Sequence, residues 1–229
     1  MIFRLNNDPW LFPHPKWAEP DGLLAVDGDL SVERLVAAYS RGIFPWYTED
    51  DPILWYSPDP RMVLLPDNFR YAKSLRRVVQ SGRFEVHIDT CFEDVIRNCA
   101  SVCREKQRGT WIIEDMIQAY IRLHERGFAH SFETFYNGEL VGGLYGVSLG
   151  RVFFGESMFH TMTDASKVAF VRLVDFCRSH SFDLIDAQQE TPHLASLGAA
   201  PIPREDFLGI LARQKFNETL IGNWHPLET

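Results

Sequence analysis

Two apolar segments each carry a carboxylate where a hydrophobic side chain would be ordinary. In DLIDAQQ (183–189), Leu184 and Ile185 read as a buried strand. Asp186 and Gln188 follow two residues apart, on the face that Leu184 occupies. In VFFGESMFH (152–160), Glu156 stands among Val152, Phe153, Phe154, Met158 and Phe159. Period-two alternation places it on one face with Phe154 and Met158. A neutral polar group buried without a partner costs roughly 1–3 kcal/mol, and a charge costs more. These three side chains therefore need partners. If the two strands are neighbours, about 4.8 Å apart, the three converge. Two readings stay open. One is a hydrogen-bond network that only fixes the fold. The other is a polar site at the floor of an apolar pocket lined by Leu144, Phe153 and Met158. In that site a carboxylate beside an amide can accept a proton, orient a nucleophile or hold a cation.

The surrounding elements must position those residues. Tyr71–Ser81 is a basic helical stretch and Glu85–Ile88 a strand. Thr90–Val102 and Glu114–Gly127 carry apolar residues at helical spacing. Ser131–Tyr136 and Glu139–Val147 are strands joined by Asn137-Gly138, a strong hairpin signal. Val152–Met158 is a strand, and Thr163 or Asp164 caps a helix running to Arg178. Asp183–Gln188 is a further strand and Arg204–Arg213 a last helix. From Glu85 the order β-α-α-β-β-β-α-β predicts an α+β fold with a mixed sheet. Four glycines (Gly142, Gly143, Gly146 and Gly155) fall in two adjacent strands. Such clusters mark close approach of a ligand or backbone, or tight packing and bulges.

The first sixty residues have another texture, rich in Pro, Trp and Gly. One helix is readable, from Ser31 as N-cap to Arg41. The rest reads as ordered loop held by aromatics. The predicted domains are accordingly 1–62 and 63–229. Trp46 and Trp111 either build a small core or stack on bases, worth roughly 1–3 kcal/mol per base. Lys73, Arg76 and Arg77 either face phosphates or form a solvated helix face.

The chain has 229 residues, a net charge of −8 and four cysteines. The charge argues against a broad nucleic-acid groove but allows a local basic patch. Cys91, Cys99, Cys103 and Cys177 form no CxxC pair and no zinc spacing, so no metal is expected. No run of about 18 apolar residues predicts a membrane span. The start, MIFRLNNDPW, has no secretory h-region.

Together these residues resemble one family, the bacterial leucyl/phenylalanyl-tRNA–protein transferases. The matching stretches are GLLAVDGDLSVERLVAAYSRGIFPWY (22–47), WYSPDPR (55–61), GTWI (109–112), GELVGGLYGVSLGRVFFGESMF (138–159), ASK (165–167) and LIDAQQETPHLASLGA (184–199). They fall in order along nearly the whole chain. Asp27, Tyr56, Ala187, His160-Thr161 and Asp164 stand where the family usually has other residues.

The resemblance implies a small N-terminal α+β domain packed on a GNAT-like acyltransferase domain. It implies a cytoplasmic, monomeric enzyme without cofactor. Leu, less often Phe, would move from its tRNA to the α-amine of proteins that begin with Arg or Lys, marking them for degradation. Asp186, Gln188 and Glu156 would be catalytic. Leu144, Phe153, Gly155 and Met158 would hold the aminoacyl side chain. Trp46, Trp111 and Tyr39 would grip the terminal adenosine, and Lys73, Arg76 and Arg77 the tRNA backbone. Two rivals are weaker. A CoA-dependent acetyltransferase needs a Gly-rich turn to hold pyrophosphate at a helix start, which FHTMTDASK (159–167) lacks. A plain RNA-binding module needs no acidic trio beside an apolar pocket.

Overall fold

The computed structural model describes residues 2–101, 112–214 and 217–227. The N-terminal part contains strands β1 (Phe3–Arg4) and β2 (Leu23–Val26), helix α1 (Val32–Tyr39) and strands β3 (Phe44–Pro45) and β4 (Leu54–Tyr56). These strands form a four-stranded sheet in the order β1-β2-β4-β3. This part is thus more regular than the loop expected from its composition. Its strands are two to four residues long, too short for period-two alternation to show. Helix α1 starts as read from the sequence: Ser31 Oγ accepts from the Arg34 N–H at 3.3 Å.

The rest of the chain forms β5 (Arg61–Leu64), α2 (Lys73–Gln80), β6 (Glu85–Ile88), α3 (Phe92–Ser101), α4 (Glu114–Glu125), β7 (Ala129–Tyr136), β8 (Glu139–Leu149) and β9 (Val152–His160). Then follow α5 (Ala165–Ser179), β10 (Leu184–Gln188), α6 (Pro192–Ser196), β11 (Ala200–Ile202) and α7 (Arg204–Gln214). Seven strands build one mixed sheet, in the order β11-β5-β10-β9-β8-β7-β6. The α+β class and the order from β6 to β10 match the sequence pattern. Strand β5 was not visible in it, and the 62/63 boundary falls inside that strand. Asn137 and Gly138 adopt φ of 51° and 79°, the turn that the β7–β8 hairpin requires. Asp164 does precede α5, but it sits at φ 69° without a capping bond and instead accepts from Lys167 Nζ at 2.7 Å.

The large sheet is covered on both faces. On one, Val147, Phe154 and Leu184 pack with α1, α3, α4, α7 and Trp55 of the small sheet. On the other, Phe132, Leu144, Phe153 and Ile185 pack with α5, with Leu75 of α2 and with Trp224, which stacks on His130.

Two of the strand glycines answer to packing. A Cβ on Gly142 would lie 2.6 Å from Ala165 Cβ at the start of α5. A Cβ on Gly146 would lie 2.3 Å from the Phe154 carbonyl oxygen and 2.5 Å from the Phe153 ring. Gly146 sits where the β8–β9 register shifts. Gly146→Ala should therefore cost about 1–3 kcal/mol, as overpacking usually does, read as an earlier urea midpoint. An unchanged midpoint would mean that β9 yields freely at this point.

Candidate active site

Strands β9 and β10 run parallel and pair over three positions: Leu184 with Val152, Ile185 with Phe153, Asp186 with Phe154. There the ladder ends. Both strands are irregular at that point. In β9, Gly155 faces Gly146 and Ser157 faces Tyr145, so Glu156 is an extra, bulged residue. In β10, the register against β5 shifts between Asp186 and Gln188, and Gln188 takes φ 60°. The bulge corrects one expectation. Glu156 does share the face of Phe154, but Met158 packs on the opposite side of the sheet, because the extra residue reverses the alternation after it.

A cavity of about 310 Å³ opens where the two strands part. Leu144, Phe153, Met158, Phe170, Leu173 and Ile185 supply its apolar wall. Gly155 adds no side chain; a Cβ there would approach only the Asp186 carbonyl oxygen, at 3.5 Å. Glu156, Gln188 and Trp46 also border the cavity. The structure thus brings Leu144, Phe153, Gly155 and Met158 to one space, bordered also by all three members of the polar trio.

Glu156 is the hub of that trio. Its Oε1 accepts from Tyr39 Oη at 2.7 Å and from Gln188 Nε2 at 2.7 Å, and its Oε2 accepts from Tyr120 Oη at 3.3 Å. The Tyr39 and Tyr120 hydroxyls also contact each other. Burial pushes the Glu156 carboxyl up to about 7; the Asp186 charge adds to this, and the three donors oppose it. Burial next to Glu156 raises both tyrosines well above the usual phenol value. Because a carboxylate only accepts, Gln188 must turn its NH₂ toward Glu156, which leaves its carbonyl oxygen to face elsewhere.

Asp186 has a different environment. It is fully buried and held by a two-pronged ion pair: Arg61 Nε donates to Oδ1 at 2.8 Å and Nη2 to Oδ2 at 2.6 Å. Oδ1 also accepts from the Gln188 N–H at 2.9 Å. The two carboxylates of the trio are thus unlike: one is neutralised by a guanidinium, the other is held by neutral donors.

The remaining candidates are scattered. Trp46 is half-buried at the cavity, edge-on to Tyr56 at 5.5 Å. Tyr39 is fully buried, so it offers no ring face to an adenine; its hydroxyl serves Glu156 instead. Trp111 lies outside the described residues. Lys73, Arg76 and Arg77 are exposed on α2. That helix packs against α5, whose Phe170 and Leu173 line the cavity. Tyr120 and Arg61 were missed. Tyr120 looks like any apolar-face residue of a helix. Arg61 left one trace, a charge directly before the apolar run Met62–Leu64.

The chain is similar to known proteins over nearly its whole length. A family model for leucyl/phenylalanyl-tRNA protein transferase matches residues 63–212, and one for that family's N-terminal domain matches 28–59. The leucyl/phenylalanyl-tRNA–protein transferase of Solidesulfovibrio magneticus is 56% identical over 97% of this chain and 90% of its own length. The protein of the same name from Myxococcus xanthus is 55% identical, over 97% of this chain and 96% of its own. Among solved structures, a GCN5-related N-acetyltransferase-like protein from Streptococcus suis is far more distant. It has a TM-score of 0.36 and 13% identity over 70% of this chain and 59% of that one, too little to bear on function. With both family models matched in order and more than half the residues shared with full-length relatives, this chain belongs to the leucyl/phenylalanyl-tRNA–protein transferase family.

Proposed function

We propose that this chain transfers Leu, and less often Phe, from its tRNA to the α-amine of proteins whose first residue is Arg or Lys, using the seam between β9 and β10. One observation carries this reading: an apolar cavity roomy enough for a Leu or Phe side chain opens directly beside a Glu156–Gln188 pair. In the transfer, the amine nitrogen attacks the ester carbonyl carbon, and the carbon–oxygen bond to the terminal ribose breaks. The amine loses a proton, and the ribose oxygen gains one. The ester is already activated, so the protein's contribution is positioning, worth up to roughly 7–11 kcal/mol in ideal cases, together with proton handling.

The roles divide by environment. The apolar wall receives the Leu or Phe side chain. The Gln188 carbonyl oxygen, turned away from Glu156, accepts from the amine N–H and aims its lone pair. Glu156 is the proton acceptor, since a carboxyl near 7 is suited to gain and release a proton at neutral pH. Asp186 has both oxygens engaged by Arg61 and serves as anchor. Trp46 stands at the cavity, where a terminal base would stack, and the basic face of α2 lies one helix away for phosphates. Among the described residues no helix is long and apolar enough to cross a membrane. The cytoplasm, where charged tRNA is found, is the proposed location.

The direct test incubates the protein with labelled Leu-tRNA and a protein that begins with Arg. Label should appear on the protein, and an acceptor with a blocked N-terminus should stay unlabelled. The aminoacyl pocket has its own check. Leu144→Trp narrows the cavity and should slow Phe transfer at least as much as Leu transfer. Wild-type rates for both would place the side chain elsewhere.

The proton acceptor is tested through pH. Glu156 must be ionised, and an α-amine with a pKa near 8 must be neutral. Below about pH 7 both are mostly protonated, so the single-turnover rate should fall about a hundredfold per pH unit. Between about 7 and 8 only the amine titrates, and the fall is about tenfold per unit. Glu156→Gln should lower the plateau by about 10²-fold or more and leave a single tenfold slope. A Gln variant that keeps the steeper slope would remove Glu156 from this role.

A further inference from the structure

Arg61 lies outside the trio, yet it bonds directly to one of its members, Asp186. In strand β5 Arg61 precedes Met62, whose cross-strand partner in β10 is Gln188, and Arg61 itself pairs with Ile202 of β11. Arg61 is fully buried. Its guanidinium lies between two rings, 4.9 Å from Phe44 and 4.8 Å from Phe207, and its Nη1 donates to the Gly42 carbonyl at 3.2 Å. Sandwiched and tethered in this way, the planar fork has one orientation. It meets the Asp186 carboxylate with two parallel bonds, a geometry that lysine cannot reproduce.

The consequence runs onward through Asp186. Its Oδ1 is shared by Arg61 Nε and the Gln188 N–H. Gln188 has φ 60°, the left-handed region that costs a non-glycine residue about 1–3 kcal/mol and persists only where neighbours impose it. The Gln188 N–H bond to a carboxylate that cannot rotate is such a constraint. From that backbone, Nε2 reaches Glu156 at 2.7 Å. A buried ion pair brings little net stability compared with apolar residues of similar volume. What this pair supplies beyond stability is the placement of a backbone.

We infer that Arg61 is a positioning residue for aminoacyl transfer: through the Asp186 carboxylate its guanidinium fixes the Gln188 backbone in the conformation that aims the Gln188 side chain at Glu156 and the cavity. This rests on the roles proposed above for Gln188 and Glu156. Gly42 and Phe44 belong to the N-terminal part of the chain, so Arg61 also makes the placement of Gln188 depend on that part. Among the described residues, the charged and titratable groups that act on Glu156 are Tyr39 from α1, Tyr120 from α4 and Asp186 from β10. Arg61→Lys keeps all three and keeps a cation beside Asp186.

The test is a double-mutant cycle on the full chain, with Arg61→Lys, Gln188→Ala and the pair. Arg61→Lys should cut the single-turnover rate by about 10²-fold, the scale of a misplaced reacting group. It should leave KM for Leu-tRNA within about twofold, because the apolar wall is intact. Gln188→Ala should lose about as much, and the pair no more than either alone, since groups acting as a unit are not additive. The acid limb of the profile should move to higher pH in both single variants, because Glu156 loses a donor that favours its ionised form. A merely structural Arg61 would lower the rate equally at every pH and add its loss to that of Gln188→Ala; either result overturns the inference. If Arg61→Lys fails to fold, the apolar pair Arg61→Met/Asp186→Leu replaces it in the cycle. Full additivity with Gln188→Ala there overturns the inference, and its absence supports it. The reading beneath fails separately: a wild-type profile without the limb near 7, unchanged in Glu156→Gln, removes Glu156 as proton acceptor while the cycle still decides Arg61.

Discussion

Two parallel strands that pair for three residues and then separate create the space on which everything else depends. A continuous sheet has no room for a ligand between neighbouring strands, because backbone hydrogen bonds hold them about 4.8 Å apart. Here the ladder stops at Phe154 and Asp186, and a bulge in each strand sits at the stopping point. The bulges do two jobs together. They end the pairing, and they free Glu156 and Gln188 from the ladder at a point where the two side chains meet. The cavity and its polar edge are thus products of one irregularity.

The same seam sets two carboxylates in contrasting electrostatic surroundings. Asp186 meets a guanidinium with both oxygens and is fully buried. Among the described residues Glu156 meets only neutral donors, and burial holds its carboxyl near 7. A pair of acids separated in this way divides the labour of a site: one holds geometry, the other moves a proton. The division needs residues from distant parts of the chain. Tyr39 comes from α1, Tyr120 from α4 and Arg61 from β5, and none of them lies on the strands that carry the acids.

Much of this was legible in the sequence, for identifiable reasons. Long elements with a strong period, such as the β7–β8 hairpin and α5, declare themselves through spacing and turn residues. Asp186, Gln188 and Glu156 stood out because polar groups in apolar strands must be accounted for. What was lost was lost to short range. Strands of two to four residues carry no readable period, so the small sheet looked like loop and β5 like a boundary. A bulge leaves no mark on a period-two pattern, so Met158 was assigned to the face of Glu156. Tyr39 was assigned to the terminal adenosine and Tyr120 read as an apolar-face residue, because a sequence does not show where a phenol hydroxyl ends; both rings are core, and only the hydroxyls reach the site.

The strand order carries a kinetic consequence. Strands β6 to β9 include a meander whose partners are close in the chain, whereas β5 lies between β10 and β11, which follow more than a hundred residues later. Arg61 and Asp186 are 125 residues apart. Closing a loop of that length is entropically opposed, and non-local pairing is slow compared with hairpin formation. A chain with a finished meander but β5 undocked would have much of its secondary structure and no fixed Gln188. Return of activity on refolding therefore reports a different event from return of helix and sheet signal. It times the arrival of one distant strand.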